Sequence, residues 1–186
     1  MLRVNFVPNL SVNKGVHKMK KKTKSTIVSL VFFIGLFSTF SFGFVSQGVD
    51  ALNGVKSFKG VFDLRTGSMK TTSVFLKMIH DTYRSQEIAS ISKEPEFVIV
   101  ILGPTVKLVS NNREGVSPED SKMLDAIAEQ ISEMSKDGIH LEICLFAVRM
   151  MNVDPTTILP DIKQVENGAV SLIGYQAQGF SLVPLY

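Results

Sequence analysis

One continuous apolar run most constrains the fold of this chain. The segment Glu96–Leu102 is apolar after its first residue, and Gly103 and Pro104 end it. A strand with one face in water alternates apolar and polar side chains. A strand in a parallel sheet is apolar throughout, because helices cover both of its faces. The run therefore predicts a strand buried on both faces of a mainly parallel sheet.

Strands and helices alternate along residues 60–186. Further strands are predicted at Val61–Leu64, Ile139–Leu145 and Phe180–Val183. Helices are predicted at 71–84, 117–137, 154–162 and 169–177, with short helical turns at 106–109 and 146–151. This alternation is typical of α/β proteins, so we expect one three-layer α/β/α domain with a mainly parallel sheet of about five strands.

Two of the predicted helices carry specific signals. Ser117 followed by Pro118 is a strong helix start, and Gly138 is suited to the position just after the helix end. In helix 71–84, His80 lies off the apolar stripe, so we expect it to be solvated. The buried face of that helix is predicted to consist of its regularly spaced apolar residues, Val74, Phe75, Met78, Ile79 and Tyr83.

Residues 1–51 are interpreted as a leader, and residues 52–59 as a linker. The basic run Lys18–Lys24 precedes the apolar stretch Ile27–Val45, which is the order of a secretory signal peptide, and Val49–Ala51 resembles a cleavage site. We therefore expect export to the periplasm or another extracytoplasmic compartment. An uncleaved membrane anchor is the alternative, because the stretch is about as long as the shortest membrane-spanning helix, ~17–20 residues.

The net charge of +3 is unevenly distributed. Residues 1–51 contain seven basic residues and one acidic residue, whereas residues 52–186 contain 13 basic and 16 acidic residues. The high isoelectric point therefore comes from the leader. The body has no basic stripe interleaved with aromatic residues, so nucleic acid is not an expected partner.

Cys144 is the only cysteine of the chain and the leading candidate for a catalytic residue. It is predicted to lie where a buried strand ends and a short helix begins. Backbone N–H groups at a helix start favour a thiolate over a thiol. A lone cysteine in an exported protein also suggests a reactive thiol, since structural cysteines outside the cytoplasm usually pair. The alternative is an inert buried cysteine.

The residues around the predicted strand ends are candidates for substrate binding. Parallel sheets place functional residues at the carboxyl ends of their strands. Gly103 and Pro104 are expected to shape the floor of a pocket near Cys144. Lys107 or Arg149 is expected to add positive charge there and to hold an anionic substrate.

Other motifs are weaker. The segment Arg65–Thr72 follows a predicted strand, but a phosphate-binding loop needs glycine directly before Lys70, where this chain has Met69. His80 and His140 do not form part of a group with metal-ligand spacing. We therefore expect neither a bound metal nor a cofactor.

Three segments resemble the DsrE/DsrF-like family, and the likeness covers roughly residues 60–186. Phe97–Lys107 is a strand followed by Gly-Pro-x-Val, and Gly138–Asn152 contains a strand that ends in cysteine. The third segment, Ile158–Pro184, contains Tyr-Gln-x-x-Gly-Phe at Tyr175–Phe180. Many relatives have histidine where this chain has Leu102, so a polar neighbour of the thiol is missing here.

The resemblance implies a flavodoxin-like fold, assembly into trimers or hexamers, and a role in sulfur metabolism. In members that relay sulfur, the cysteine at the position of Cys144 carries a persulfide, whose outer sulfur passes to a cysteine of another protein. Any enzymatic activity would then be that of a sulfur carrier or sulfurtransferase. Two alternatives remain: a non-enzymatic oligomeric binding or assembly module, and a membrane-tethered redox sensor that retains its leader.

Overall fold

A five-stranded parallel sheet forms the centre of the part of the chain that the structure describes. The structure, a computed structural model, describes residues 50–186. The strands lie in the order β4-β3-β2-β1-β5, and they comprise β1 (Lys59–Leu64), β2 (Glu96–Ile101), β3 (His140–Cys144), β4 (Lys163–Val165) and β5 (Ser181–Leu185). The helices are α1 (Met69–Tyr83), α2 (Gln86–Ile91), α3 (Pro118–Lys136), α4 (Leu145–Met150) and α5 (Gly168–Ala177).

Helices cover both faces of the sheet, so the predicted three-layer α/β/α architecture is confirmed. The chain proceeds from β1 through β2 and β3 to β4, and then returns to place β5 beside β1. Because crossovers between parallel strands are right-handed, this reversal puts α5 on the face opposite to α1 and α3. In agreement, α1 packs against α3, whereas α5 contacts β1, β2, β3 and β5.

The apolar run that predicted β2 is the centre of the core. Residues 97–101 are all buried, and Ile99, Val100 and Ile101 are fully inaccessible to solvent. Side chains of alternating residues point to opposite faces, so β2 contacts helices in both outer layers. Burial of each large apolar side chain contributes about 1.5–3 kcal/mol, which makes this strand a major source of stability.

Both signals of the predicted helix 117–137 are confirmed in α3. The Ser117 hydroxyl accepts a hydrogen bond from the Asp120 N–H at 3.1 Å, as an N-cap residue does. Gly138 follows the helix end with a φ of +98°, in the left-handed region that favours glycine. The predicted helices at 71–84 and 169–177 and the last strand are also present, with small shifts at their ends.

The predicted buried face of α1 is confirmed in part. Ile79 is buried and Phe75 and Tyr83 pack against the core, but Val74 and Met78 are exposed. The fully buried residues of the helix are Thr72, Leu76, Ile79 and His80. The buried residues recur every three or four positions, as a helix face requires, but two of the four are polar. A prediction from apolar residues alone therefore selected a stripe of the helix surface next to the one that is buried.

His80 is buried because it has a partner at the end of α3. Its Nε2 lies 2.7 Å from Oδ2 of Asp137, and the Arg84 guanidinium also binds that oxygen. The Tyr83 hydroxyl donates a hydrogen bond to the Asp137 carbonyl at 2.9 Å. The prediction of a solvated His80 was therefore wrong, since a buried imidazole is tolerated once it is hydrogen-bonded. This cluster fixes the end of α1 to the end of α3.

The segment before β4 also differs from its prediction. Only Pro155–Thr157 is helical, as a single 3-10 turn, where a helix was predicted at 154–162. Pro160 has no N–H and cannot continue a helix, so the chain extends into β4. Ile158 instead forms an isolated antiparallel bridge with Ser110. The short and polar β4 has no apolar pattern that would have predicted it.

The leader predicted at residues 1–51 lies almost entirely outside the described residues. Within 50–186, no helix is long and apolar enough to cross a membrane.

The Asp137 cluster gives a pH-dependent prediction. Hydrogen bonds from Arg84 and then His80 hold the pKa of Asp137 below its ordinary value. A carboxyl with a lowered folded-state pKa stabilises the fold above its unfolded-state pKa and loses this contribution as the pH falls through the folded-state pKa. At pH 7, Asp137→Asn should therefore lower the free energy of unfolding by about 1–2 kcal/mol, after a discount for the half-exposed Arg84.

Urea unfolding at a series of pH values checks this prediction. The difference between the wild type and Asp137→Asn should shrink as the pH falls below about 4. Glu129→Gln, which changes an exposed carboxylate of α3, is the matched control and should have little effect. A pH-independent difference, or no difference at all, would contradict the role given to Asp137.

Candidate functional site

The carboxyl ends of β1, β2 and β3 meet at one edge of the sheet. β1 is followed by Arg65, β2 by Leu102 and Gly103, and β3 ends at Cys144. The register pairs Leu64 with Ile101 and Ile101 with Ile143, so Arg65, Leu102 and Cys144 follow at the same level. Open parallel sheets bind their ligands at this edge.

A cavity of about 430 Å³ opens at this edge beside Cys144. It is within the size range of small-molecule sites and is mostly apolar. Its lining residues come from the ends of β1, β2 and β3, from one side of α4 with the residue after it, and from the start of α5: Arg65, Leu102, Gly103, Cys144, Phe146, Ala147, Met150, Met151, Asn167 and Ala169.

Cys144 lies at the base of the cavity. It is the N-cap residue of α4, as the sequence predicts, and its thiol is free. Only 2% of the residue is exposed, so a reagent must enter the cavity to reach the sulfur. The N–H of Phe146, near the start of α4, already donates to the Glu166 carbonyl at 3.2 Å. That amide is therefore not free to stabilise a thiolate.

The start of α5 packs directly against Cys144. A Cβ atom on Gly168 would lie 3.0 Å from Cβ of Cys144 and 3.1 Å from both Cγ1 of Val100 and Cδ2 of Leu102. Only glycine permits this approach without displacement of its neighbours. The side chain of Asn167 caps the helix by accepting a hydrogen bond from the Ala169 N–H at 3.0 Å.

The four predicted binding residues divide into one inside the cavity and three outside it. Gly103 lines the cavity, whereas Pro104 is exposed on the adjoining turn and packs near Gly67. Lys107 lies in a different, polar cavity. Arg149 is on the outer side of α4, where its Nη2 forms an ion pair with Oε1 of Glu166 at 2.7 Å.

These positions have a simple physical origin. Gly103–Val109 is a 3-10 helix, which rises about 2 Å per residue and so carries Lys107 roughly 8 Å beyond Gly103. In α4, Phe146 and Met150 are one turn apart and together line the cavity, which leaves Arg149 on another side. Neither Lys107 nor Arg149 lines the cavity, so the structure gives no support to the prediction that one of them supplies charge beside the thiol.

Arg65 supplies that charge instead, and sequence reasoning missed it. Its Nε donates to both carboxylate oxygens of the buried Asp63, at 2.7 and 3.0 Å. The hydrogen bond to Asp63 is the main influence that raises the pKa of the Arg65 guanidinium, which stays charged. The sequence did contain a signal for this pairing. Asp63 and Arg65 are two residues apart at a strand end, so they lie on the same face of the sheet and their opposite charges can pair.

A buried carboxylate supports α5 beside the thiol. Glu142 lies two residues before Cys144, on the same face of β3, and is 3% exposed. Its Oε1 accepts a hydrogen bond from the Tyr175 hydroxyl at 3.0 Å and lies 3.1 Å from Nε2 of His140. Lys163 Nζ of β4 is 3.7 Å away. The network connects β3, β4 and α5 beneath the cavity.

The direction of the pKa shifts in this network favours an ionised Glu142. Burial raises the pKa of Glu142, but its polar neighbours Ser171, His140 and Tyr175 outweigh burial and lower the pKa overall. Burial and the negative charge of Glu142 raise the pKa of Tyr175 to about 12, so this phenol stays protonated and donates. The network is therefore structural and holds α5 in place.

Comparisons with known proteins bear on the fold alone. No protein-family model matches the chain, so its likeness to the DsrE/DsrF-like family stays a prediction. An uncharacterized protein of Aquifex aeolicus (strain VF5) is 23% identical over 173 residues, which cover 92% of this chain and 71% of that protein.

Two solved structures are similar to this one. A protein of unknown function from Methanobacterium thermoautotrophicum, MTH1491, has a TM-score of 0.53 and 13% identity, over 69% of this chain and 99% of that chain. A conserved protein of unknown function from Bacteroides thetaiotaomicron, BT1422, has a TM-score of 0.47 and 20% identity, over 67% of this chain and 91% of that chain. The first likeness supports the α/β fold.

The close approach of α5 gives a second prediction. Gly168→Ala places a methyl group against three buried atoms and should lower the free energy of unfolding by about 1–3 kcal/mol, measured by urea unfolding. Gly174→Ala, on the same helix, is the matched control, because a Cβ there meets no atom within 4 Å. The control should stabilise the protein by about 0.4–1 kcal/mol. Equal effects of the two substitutions would contradict the tight contact at Gly168.

Proposed function

We propose that this protein carries sulfane sulfur as a persulfide on Cys144, as a DsrE/DsrF-like protein of sulfur metabolism. The observation that carries the proposal is a free thiol at the base of a cavity of about 430 Å³, at the carboxyl edge of a parallel sheet. The fold and the strand that ends in cysteine agree with the resemblance described above. Gly103 forms part of the cavity wall.

The reaction has two steps that conserve atoms and charge. The Cys144 thiolate attacks the outer sulfur of a donor such as thiosulfate, the donor's sulfur–sulfur bond breaks, and sulfite leaves with the bonding electron pair. The product is a persulfide on Cys144. An acceptor thiolate then attacks the outer sulfur and takes it, and Cys144 leaves as thiolate. The acceptor in this proposal is a cysteine of another protein.

The location and assembly of the protein form part of the same proposal. The basic and apolar order of the leader supports export, with a membrane anchor as the alternative. Large apolar side chains are also exposed on α5 away from the cavity lining, namely Val170 and Ile173. Exposed apolar surface supports assembly into a homo-oligomer, and the family resemblance implies three or six chains. The particle mass, measured by light scattering, tests this assembly, and a monomer at micromolar concentration would contradict it.

Intact-mass spectrometry tests the sulfur-carrier function. After incubation with thiosulfate or an organic thiosulfonate, the chain should gain the mass of one sulfur atom from at least one of these donors, and a reducing thiol should remove it. Cys144→Ser is nearly isosteric and should gain nothing. No added sulfur on the wild type with either donor, or sulfur that persists on Cys144→Ser, would refute the proposal.

The second candidate is a non-enzymatic binding or assembly module. The near-complete burial of Cys144, at 2% exposure, is the observation in its favour. In that case Cys144→Ser should lower stability, because it puts a hydroxyl in an apolar site, without loss of assembly or ligand binding. Sulfur uptake by the wild type would exclude this candidate as the full account.

A further inference from the structure

Arg65 is the one charged residue among those described that line the Cys144 cavity. The only other polar side chains there are those of Cys144 and Asn167, and the Asn167 oxygen is already engaged as the cap of α5. The cavity therefore combines a single positive charge with mainly apolar walls. A ligand that matches it has one negative charge and an apolar body.

The guanidinium of Arg65 is held in place with part of its binding capacity unused. Asp63 takes only Nε, and the aromatic ring of Tyr186 lies 5.9 Å from Cζ. Within residues 50–186, the terminal nitrogens Nη1 and Nη2 make none of the hydrogen bonds described. An arginine fixed through Nε can present these two nitrogens to the oxygens of a planar or tetrahedral anion.

The apolar walls disfavour a small inorganic anion. Leu102, Ala147 and Met150 offer no hydrogen bonds, so a doubly charged ion such as thiosulfate would lose its hydration for a single guanidinium. An organic group gains free energy when it covers the same walls. Phe146 and Met150 are 58% and 65% exposed, so they have apolar surface still to be covered by a ligand.

We propose that Arg65 determines the specificity of this cavity for an organic, singly charged sulfane-sulfur donor of the thiosulfonate class, R–SO2–S⁻. The inference rests on the proposed sulfur-carrier function of Cys144. The thiolate attacks the outer sulfur, the sulfur–sulfur bond breaks, and the sulfinate R–SO2⁻ leaves with the electron pair. Arg65 binds the sulfonyl oxygens, on which negative charge accumulates as the sulfinate forms.

Binding of an unreactive analogue tests the site independently of sulfur transfer. Isothermal titration calorimetry on the full chain compares benzenesulfonate with benzenesulfonamide, which has the same shape without the charge. The wild type should bind the sulfonate at least about tenfold more tightly, as expected for a hydrogen bond between charged groups. Arg65→Gln should abolish the preference. Arg149→Gln, the matched control outside the cavity, should retain it.

Arg65→Gln leaves the buried Asp63 without its partner, which destabilises the fold. Two further variants therefore test the same site without this loss. Arg65→Lys keeps the charge and should retain a reduced preference. Phe146→Ala changes a half-exposed side chain and should weaken the binding of both aryl ligands. Equal affinity of the wild type for both ligands, no binding of either, or full affinity in Phe146→Ala would overturn the proposed site.

Incubation with benzenethiosulfonate and intact-mass spectrometry separate the two proposals. A wild type that binds benzenesulfonate as predicted but gains no sulfur would refute the carrier function and leave the anion site intact. A folded Arg65→Gln that gains sulfur from benzenethiosulfonate as fast as the wild type would refute the role of Arg65 and leave the carrier function intact.

Discussion

The parallel pairing of β1, β2 and β3 is the constraint on which the rest of the structure depends. The register that aligns Leu64, Ile101 and Ile143 also fixes the level at which all three strands end. A shift of one residue in β3 would turn every side chain of that strand to the other face, and it would separate the buried Glu142 from Tyr175 of α5. The cavity exists because three strands stop together and their next residues diverge into loops and helices.

The face covered by α5 connects this sheet to the chemistry. One helix covers that face, so its position decides how the thiol is enclosed. Gly168 lets α5 approach the Cys144 side chain, and the hydrogen bond between Glu142 and Tyr175 holds the helix from below. A buried ionised carboxylate is costly unless its charge is satisfied, which explains the cluster of donors around it. The end of β3 therefore contributes both the thiol, which α5 covers, and the carboxylate of Glu142, which holds α5 in that position.

Much of the fold was predictable, because burial leaves a strong pattern in sequence. The apolar run of β2, the capped helix α3 and the strand that ends at Cys144 each follow from local rules. β4 did not, since two exposed polar residues and one half-buried valine at a sheet edge bury little surface. The site was only half predictable for a related reason. Lys107 and Arg149 are close to the cavity in sequence, but the pitch of the intervening helices carries them away. Arg65 is far from Cys144 in sequence and is brought to it by the pairing of β1, β2 and β3, and its one local signal was Asp63 two residues earlier.

Sulfur chemistry at Cys144 requires that reagents reach its thiol through the cavity in the folded protein. The most direct measurement is the rate of alkylation of Cys144 by iodoacetamide in increasing urea, below the unfolding transition. Access through the cavity predicts a rate that is almost independent of urea. A thiol that reacts only when the chain unfolds would instead show a rate that rises with urea with the slope of global unfolding. That result would show that Cys144 is an inert core residue that reagents do not reach in the folded protein, and it would contradict a role for this thiol in sulfur transfer.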